Sequence, residues 1–446
     1  MGKNRRVVGY SIIVALGGLL FGLETAVMAG AEKQIQTVYG LSNFLHGFTV
    51  AIAIMGAAVG ALSAGFPAER FGRKKVIVAI AFLFTITSLL CAVAPNWGTL
   101  LLFRFLGGLA IGASSVLGPM YIAEIAPAAL RGRLVAFFQF NVTFGLLLAY
   151  TSNYVFSGLG ENAWRWMLGI VTLPSLVFFG LTFLIPESPR WLVKHNRVKE
   201  AEGVLARCGR TNSEQEIADI QQSLTTVSAS VADRLFSKKY FRPILYAVLM
   251  GAFNQLSGTN AINYYATRIF GMTGVSISNS YLLPILIGAT KVTVLIIGMF
   301  LIDRFGRRAL MIAGSVGLIV CMSLIAWSFY GHHFEGPGII FFLLGYMFFF
   351  GISDGIVIWV FISEIFPNSI RSKGQSLGSF THWFFAVIIS WTFPIAINSP
   401  VIGPGNVFLF FAVMMTLQLL FAWKLMPETK GKTLEQIQRD LKIQYE

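Results

Sequence analysis

Glu24 sits inside Gly17-Gly18-Leu19-Leu20-Phe21-Gly22-Leu23-Glu24-Thr25, a run with no other charge. A carboxylate in so apolar a setting is costly unless a cation faces it or a proton neutralises it. Arg104, at the start of Arg104-Phe105-Leu106-Gly107-Gly108, offers such a cation from another apolar stretch. A carboxylate that trades a proton against a neighbouring guanidinium is chemistry this pair could perform. Lys291, Asp354 and His382 are further ionisable side chains in apolar surroundings, and a lysine at that depth does not stay charged and alone. One reading pairs Lys291 with Asp354 inside the second half of the chain, with His382 nearby. The other gives Lys291 an acidic group on a substrate, such as a carboxylate. Gln139, Asn254, Gln255 and Asn260 are neutral hydrogen-bonding side chains in apolar segments, where a lone amide most often bonds a neighbouring helix.

Other chemistries find little support. No nucleophile–base pair or phosphate-binding loop stands out, which argues against an enzyme. No residues fall at metal-ligand spacing, and His332-His333 lack acidic neighbours that would complete a metal set. Cys91, Cys208 and Cys321 show no disulfide or metal spacing and read as small inert thiols.

The elements that must hold these residues are membrane helices. Of 446 residues 55% are hydrophobic and only 12% charged, with a mean hydropathy of +0.70, too little charge to cover a soluble globule of this size. Apolar stretches of spanning length recur at approximately 8–31, 46–68, 76–94, 98–123, 133–156 and 165–185. After a polar stretch they resume at approximately 243–271, 280–302, 309–330, 338–364, 372–397 and 405–426. The first run follows Lys3, Arg5 and Arg6, but it outlasts a signal sequence and contains Glu24, so it reads as a first membrane helix. The net charge of +14 forms no single patch for nucleic acid. It lies in short runs between apolar segments: Arg70, Arg73, Lys74 and Lys75; Arg131 and Arg133; Arg304, Arg307 and Arg308; Arg371 and Lys373. The opposite loops hold little beyond Lys33, Arg165 and Arg268, so the basic side and both termini are expected in the cytoplasm.

An internal repeat doubles the pattern. Glu69-Arg70-Phe71-Gly72-Arg73-Lys74 matches Asp303-Arg304-Phe305-Gly306-Arg307-Arg308. Tyr121-Ile122-Ala123-Glu124-Ile125-Ala126-Pro127 with Arg131 matches Phe361-Ile362-Ser363-Glu364-Ile365-Phe366-Pro367 with Arg371, and Pro186-Glu187-Ser188 matches Pro427-Glu428-Thr429. The order is the same in each half. The expected organisation is a six-helix bundle over 1–186, a cytoplasmic linker of short amphipathic helices over 187–240, a second six-helix bundle over 241–427 and a tail over 428–446. Two such halves around a midplane site are the architecture of alternating-access carriers.

At these residues, together with Pro186-Glu187-Ser188-Pro189-Arg190-Trp191, Gln255…Gly258-Thr259-Asn260 and the stretch at 427–435, the chain resembles the sugar porter family of the major facilitator superfamily over essentially its whole length. Within it the chain is similar to bacterial proton-coupled xylose and glucose transporters and to animal facilitative glucose transporters. The resemblance implies an all-α membrane protein with twelve transmembrane helices in two pseudo-symmetric bundles, the major facilitator fold. It implies secondary transport of a hexose, pentose or related polyol, with the proton as coupling ion and no bound cofactor. It casts Glu24 as proton carrier with Arg104 as its partner; the proton-coupled members carry aspartate there and the facilitative ones an uncharged residue. It places Phe21, Gln139, Asn254, Gln255, Asn260, Tyr264, Tyr265 and Trp359 at substrate positions. A set of neutral hydrogen-bonding groups with aromatic faces suits a sugar. Asn254 stands where a glutamine is usual, Leu146 where a second helix-five glutamine is usual, Lys291 where an asparagine contacts sugar and His382 where another amide is usual. The expected gate at the cytoplasmic helix ends joins Glu69, Arg70, Arg73, Glu124, Arg131 and Glu187 in one half. Asp303, Arg304, Arg307, Glu364, Arg371 and Glu428 do so in the other.

Two further readings stay beside proton symport: a passive facilitator, against which Glu24 argues, and a sugar sensor, which would be expected to carry a longer cytoplasmic tail. The compact chain and the lack of an exposed glycosylation sequon lead us to expect a monomer in a bacterial inner membrane, with the lipid bilayer and a small sugar or polyol as its partners.

Overall fold

The computed structural model describes residues 5–210, 213–229, 235–334, 338–367, 370–432, 436–437, 439 and 441. Every regular element among them is helical. The first half runs through α1 (Arg5–Val38), α2 (Asn43–Ser63), a short α3 (Gly65–Phe71), α4 (Arg73–Ala92), α5 (Trp97–Ile125) and α6 (Ala128–Phe156). Its sixth span is assembled from α7 (Ala163–Gly169) and α8 (Thr172–Thr182). Three short helices follow: α9 (Pro189–Lys194), α10 (Val198–Arg207) and α11 (Ser213–Ala229). The second half consists of α12 (Phe241–Leu256), α13 (Thr259–Gly271), α14 (Ile277–Phe305), α15 (Arg307–Tyr330), α16 (Gly338–Ile352), α17 (Val357–Glu364), α18 (Arg371–Ile397) and α19 (Gly403–Lys424).

Eleven segments are long and apolar enough to cross a membrane. The twelfth span is divided: α12 and α13 meet at Ser257-Gly258, where Gly258 takes φ +88°. Together they cover 241–271, ample at 1.5 Å per residue for about 30 Å of hydrocarbon. The tenth span is broken as well, between α16 and α17, at 353–356.

The helices gather into two compact units, Met1–Ala31 with Ile52–Ala232 and Glu32–Ala51 with Asp233–Glu446. This division differs from sequence boundaries at 186 and 240 for a packing reason. α9–α11 are not a free linker: Trp191, Leu192, Val204, Leu205, Cys208 and Ile217 form one apolar cluster with Val7 and Ala126 of the first unit. Residues 32–51 join the second unit through Trp391, whose indole donates to the Phe44 carbonyl (3.2 Å) and whose ring lies 5.2 Å from those of Phe44 and Phe48.

Within the first unit, α2 and α5 approach at backbone distance. A Cβ on Gly108 would stand 2.1 Å from the Ala53 carbonyl oxygen, and one on Gly112 1.9 Å from that of Ala57. Gly56 and Gly60 face the Phe105 and Leu109 carbonyls in the same way. Lipid gives helices no hydrophobic reason to associate, so close packing of small residues supplies the attraction. Gly108→Ala is expected to cost about 1–3 kcal/mol, because the obstructing atom is backbone and cannot move aside. Gly180→Ala, with nothing within 4 Å, should be close to neutral. Thermal unfolding in detergent compares the two; equal Tm values would contradict the packing account.

Candidate functional site

The charged motifs at the basic end form one construction, built twice. Gly72 has φ +99° and Gly306 φ +88°, values that L side chains avoid. Each opens a helix whose first amides lack intrahelical partners. The Glu187 carboxylate accepts from the backbone N–H of Arg73 (2.8 Å), Lys74 (3.1 Å) and Ser188 (2.8 Å). Glu428 does the same with Arg307 (3.0 Å), Arg308 (3.0 Å), Thr429 (2.9 Å) and Lys430 (2.9 Å). The helix dipole favours an anion at that place. A Cβ on Gly72 would stand 2.2 Å from a Glu187 oxygen, and one on Gly306 2.6 Å from a Glu428 oxygen. Glycine is therefore required twice over, by φ and by the carboxylate.

The arginine after each glycine reaches inward. Arg73 pairs with Glu124 (3.2 Å) and Glu69 (2.7 Å), and Lys194 also binds Glu69. Arg307 pairs with Glu364 (2.9 Å), whose second oxygen accepts from the Thr429 hydroxyl (2.6 Å). Arg70 and Arg304 instead extend over the rings of Phe71 and Phe305, at 5.4 and 5.7 Å. With Arg131 and Arg371 they form no ion pair among the described residues. The Asp303 side chain and residues 433–435 lie outside the described residues.

Burial opposes ionisation of Glu428, but the four backbone amides outweigh it and hold the carboxyl below its usual 4.5. Burial likewise opposes ionisation of Glu69, and hydrogen bonds from Lys194 and Arg73 overcome it, again to below 4.5. A carboxylate lowered by folding contributes stability that is full above its unfolded value and lost as pH falls through its folded value. Unfolding scans from about pH 7 to about pH 3.5 should therefore show Tm falling below 4.5. The fall should be shallower in Glu428→Gln. An equally steep fall in that variant would contradict the assignment.

At mid-depth of the second unit lies a polar cluster. Gln255 and Asn254 of α12 are buried. Gln255 Nε2 donates to Asn254 Oδ1 (2.8 Å) and lies 3.2 Å from the His382 ring nitrogen Nδ1 of α18. Asn254 Nδ2 donates to the Asp354 carbonyl in the broken tenth span (3.0 Å). Gln255 Oε1 is buried with no partner. The Trp359 ring packs edge-on to His382 with centroids 5.0 Å apart, yet remains 42% exposed. A polar atom without a partner beside an open aromatic face is what a polyhydroxylated ligand needs. Partly covered Asn260 and buried Tyr264 lie one turn apart on α13, and the helix kinks at Tyr265. The Tyr265 hydroxyl is already tied to the Ser390 carbonyl (2.8 Å).

Lys291 and Asp354 do not pair. Asp354 accepts from Gln418 (2.9 Å) and Ser353 (3.5 Å), while Lys291 donates to Asn263 (2.7 Å). The break in the tenth span turns the Asp354 carboxylate toward α15 and α19, where Gln418 also bonds Ser315 (3.0 Å). The pairing expected from sequence is therefore replaced by two separate neutral partnerships.

In the first unit Arg104 is 3% exposed, and its Nε and Nη2 have no hydrogen-bond partner. No salt bridge joins it to partly covered Glu24. Phe21 lies one turn before Glu24 on α1 and is partly covered. Gln139 on α6 presents an exposed side chain.

One charged cluster was not foreseen from sequence. Glu32 of α1 binds Arg268 of α13 through both oxygens (2.9 and 2.7 Å) and His46 of α2 (2.6 Å), and Arg268 also binds Gln36 (2.6 Å). Glu32 and His46 are fully buried. Removing one partner of such a set leaves a buried charge and costs about 3–5 kcal/mol.

A membrane-embedded bundle of twelve helices in two similar halves, each closed at one end by the same charged construction, is a major facilitator fold. The family described as "Sugar (and other) transporter" matches residues 10–441, and the chain belongs to that family. It is 35% identical to the arabinose-proton symporter of Bacillus subtilis (strain 168), over 97% of this chain and 94% of the relative. It is 34% identical to the D-xylose-proton symporter of Escherichia coli (strain K12), over 97% and 95%. The partially occluded inward open conformation of the xylose transporter XylE from E. coli superposes with a TM-score of 0.85, at 32% identity, covering 96% of this chain and 99% of that one.

Proposed function

We propose that the chain is a secondary active transporter that carries a pentose or hexose with a proton by alternating access. In this reading it works as a monomer without a bound cofactor, in a bacterial inner membrane with both termini cytoplasmic. The observation that carries the substrate class is Gln255. Its Oε1 is buried without a partner while Nε2 is held by Asn254 and His382, and whichever way the amide is turned one polar atom stays unsatisfied. Leaving such an atom dry costs free energy that a sugar hydroxyl would return. The open face of Trp359 lies one His382 ring away for the apolar side of a pyranose. Relatives named as arabinose-, xylose- and galactose-proton symporters support the same class.

Proton coupling rests on Glu24. Arg104 is buried in the same unit with two N–H groups free to receive a carboxylate and no salt bridge already fixing one. A pair that forms in one state and parts in another can take up and release a proton.

Uptake of labelled arabinose, xylose and galactose into proteoliposomes tests the substrate site. At least one should enter, and Gln255→Leu should lower its uptake about tenfold while the protein remains folded. Unchanged uptake in the variant would remove Gln255 from the site. Uptake of none of the three would overturn transport of a neutral pentose or hexose.

A further inference from the structure

Lys291 lies fourteen residues from each end of the 29-residue α14, and so about 21 Å along the helix from either end. It belongs to the protein-facing stripe of that helix, with Pro284, Ile287, Gly288, Val294, Gly298 and Ile302 all buried. Its Nζ points between neighbouring helices, 2.7 Å from Asn263 Oδ1 of α13 and 5.8 Å from the centre of the Phe350 ring of α16. An ammonium has three donors, and one of them is used by a neutral acceptor. No Asp or Glu pairs with it among the described residues. Of the two acids in the broken tenth span, Asp354 is engaged by Gln418 and Ser353, and Glu364 at the basic end pairs with Arg307.

A chain of contacts leads from Lys291 to the amide cluster. Phe350 stacks on Tyr346 at 6.0 Å, the Tyr346 hydroxyl donates to Ser257 (3.3 Å), and Ser257 donates to the Asn254 carbonyl (2.6 Å). The side chain is only partly covered. A charge at mid-membrane without a counter-charge is rare and marks a binding or transport role.

From this we infer that Lys291 reads a carboxylate on the substrate, so that the transported sugar is a monoanionic sugar acid such as a uronate. The inference rests on the carbohydrate reading of Gln255 and Trp359. A single ammonium held by a neutral amide matches one negative charge. A phosphate or sulfate ester would call for an arginine fork or several cations, and no Arg or second Lys contacts this cluster among the described residues.

The test is uptake of labelled galacturonate and labelled galactose by the intact protein in proteoliposomes, compared with Lys291→Asn and Lys291→Arg. The inference expects the parent to prefer galacturonate. Lys291→Asn should lose about tenfold to a hundredfold of galacturonate uptake, far more than any change in galactose uptake, the loss expected for one charge-assisted hydrogen bond. Lys291→Arg should retain part of the galacturonate uptake. A thermal unfolding transition in detergent like the parent's shows that the variant folds. Preference of the parent for galactose with no competition by galacturonate would overturn the inference and leave the sugar reading intact. Equal loss of both substrates in Lys291→Asn, with Lys291→Arg equally inactive, would overturn it in favour of a structural role. Uptake of neither compound by the parent would overturn the carbohydrate reading itself.

Discussion

A charge carried into a bilayer has to be answered there, because water cannot answer it. That constraint organises this molecule. Fully buried Glu32 is answered by Arg268 and His46. Asp354 takes hydrogen bonds from Gln418 and Ser353. At the basic end Glu187 and Glu428 are answered by backbone amides and the start of a helix. Against these pairings stand Arg104 with Nε and Nη2 unpartnered, Glu24 without a salt bridge, Lys291 on a neutral amide, and Gln255 with an orphan oxygen. Those are the places this account assigns to a proton and a solute.

The duplicated basic end shows how sequence motif and backbone geometry become one device. The glycine supplies a positive φ and room for a carboxylate, the following arginine reaches an acid on the next span, and the distant Pro-Glu motif closes the unit by capping the helix. Each part is needed for the others to fit. The exposed ion pairs contribute little individually, whereas the amide-bound carboxylates fix where two helices begin.

Much of this was legible in the chain. The twelve spans were readable from apolar length, and both broken helices carry their cause in sequence, Gly258 in one and the Ser353-Asp354-Gly355 run in the other. The repeat located the basic-end acids and arginines, although pattern alone could not say that Arg73 and Arg307 would pair while Arg70 and Arg304 lay over phenylalanine rings. Lys291 and Asp354 looked like natural partners because charge in a membrane suggests a pair. Which way an unwound segment turns its side chain is a matter of three-dimensional packing that spacing does not encode. Glu32 and His46 were missed because their partner Arg268 lies far along the chain, and a contact of that range leaves no local period. The short helices α9–α11 were recognisable as amphipathic, but their seat against Val7 and Ala126 was not.

The central claim is that Glu24 carries the coupling proton. It is tested most directly by sugar accumulation in proteoliposomes with an inward proton gradient, comparing the parent with Glu24→Gln, alongside exchange of labelled sugar without a gradient. The account predicts accumulation above equilibrium in the parent, and in the variant loss of accumulation with exchange retained. Accumulation that survives in Glu24→Gln, or a parent that only equilibrates sugar whatever the gradient, would contradict it.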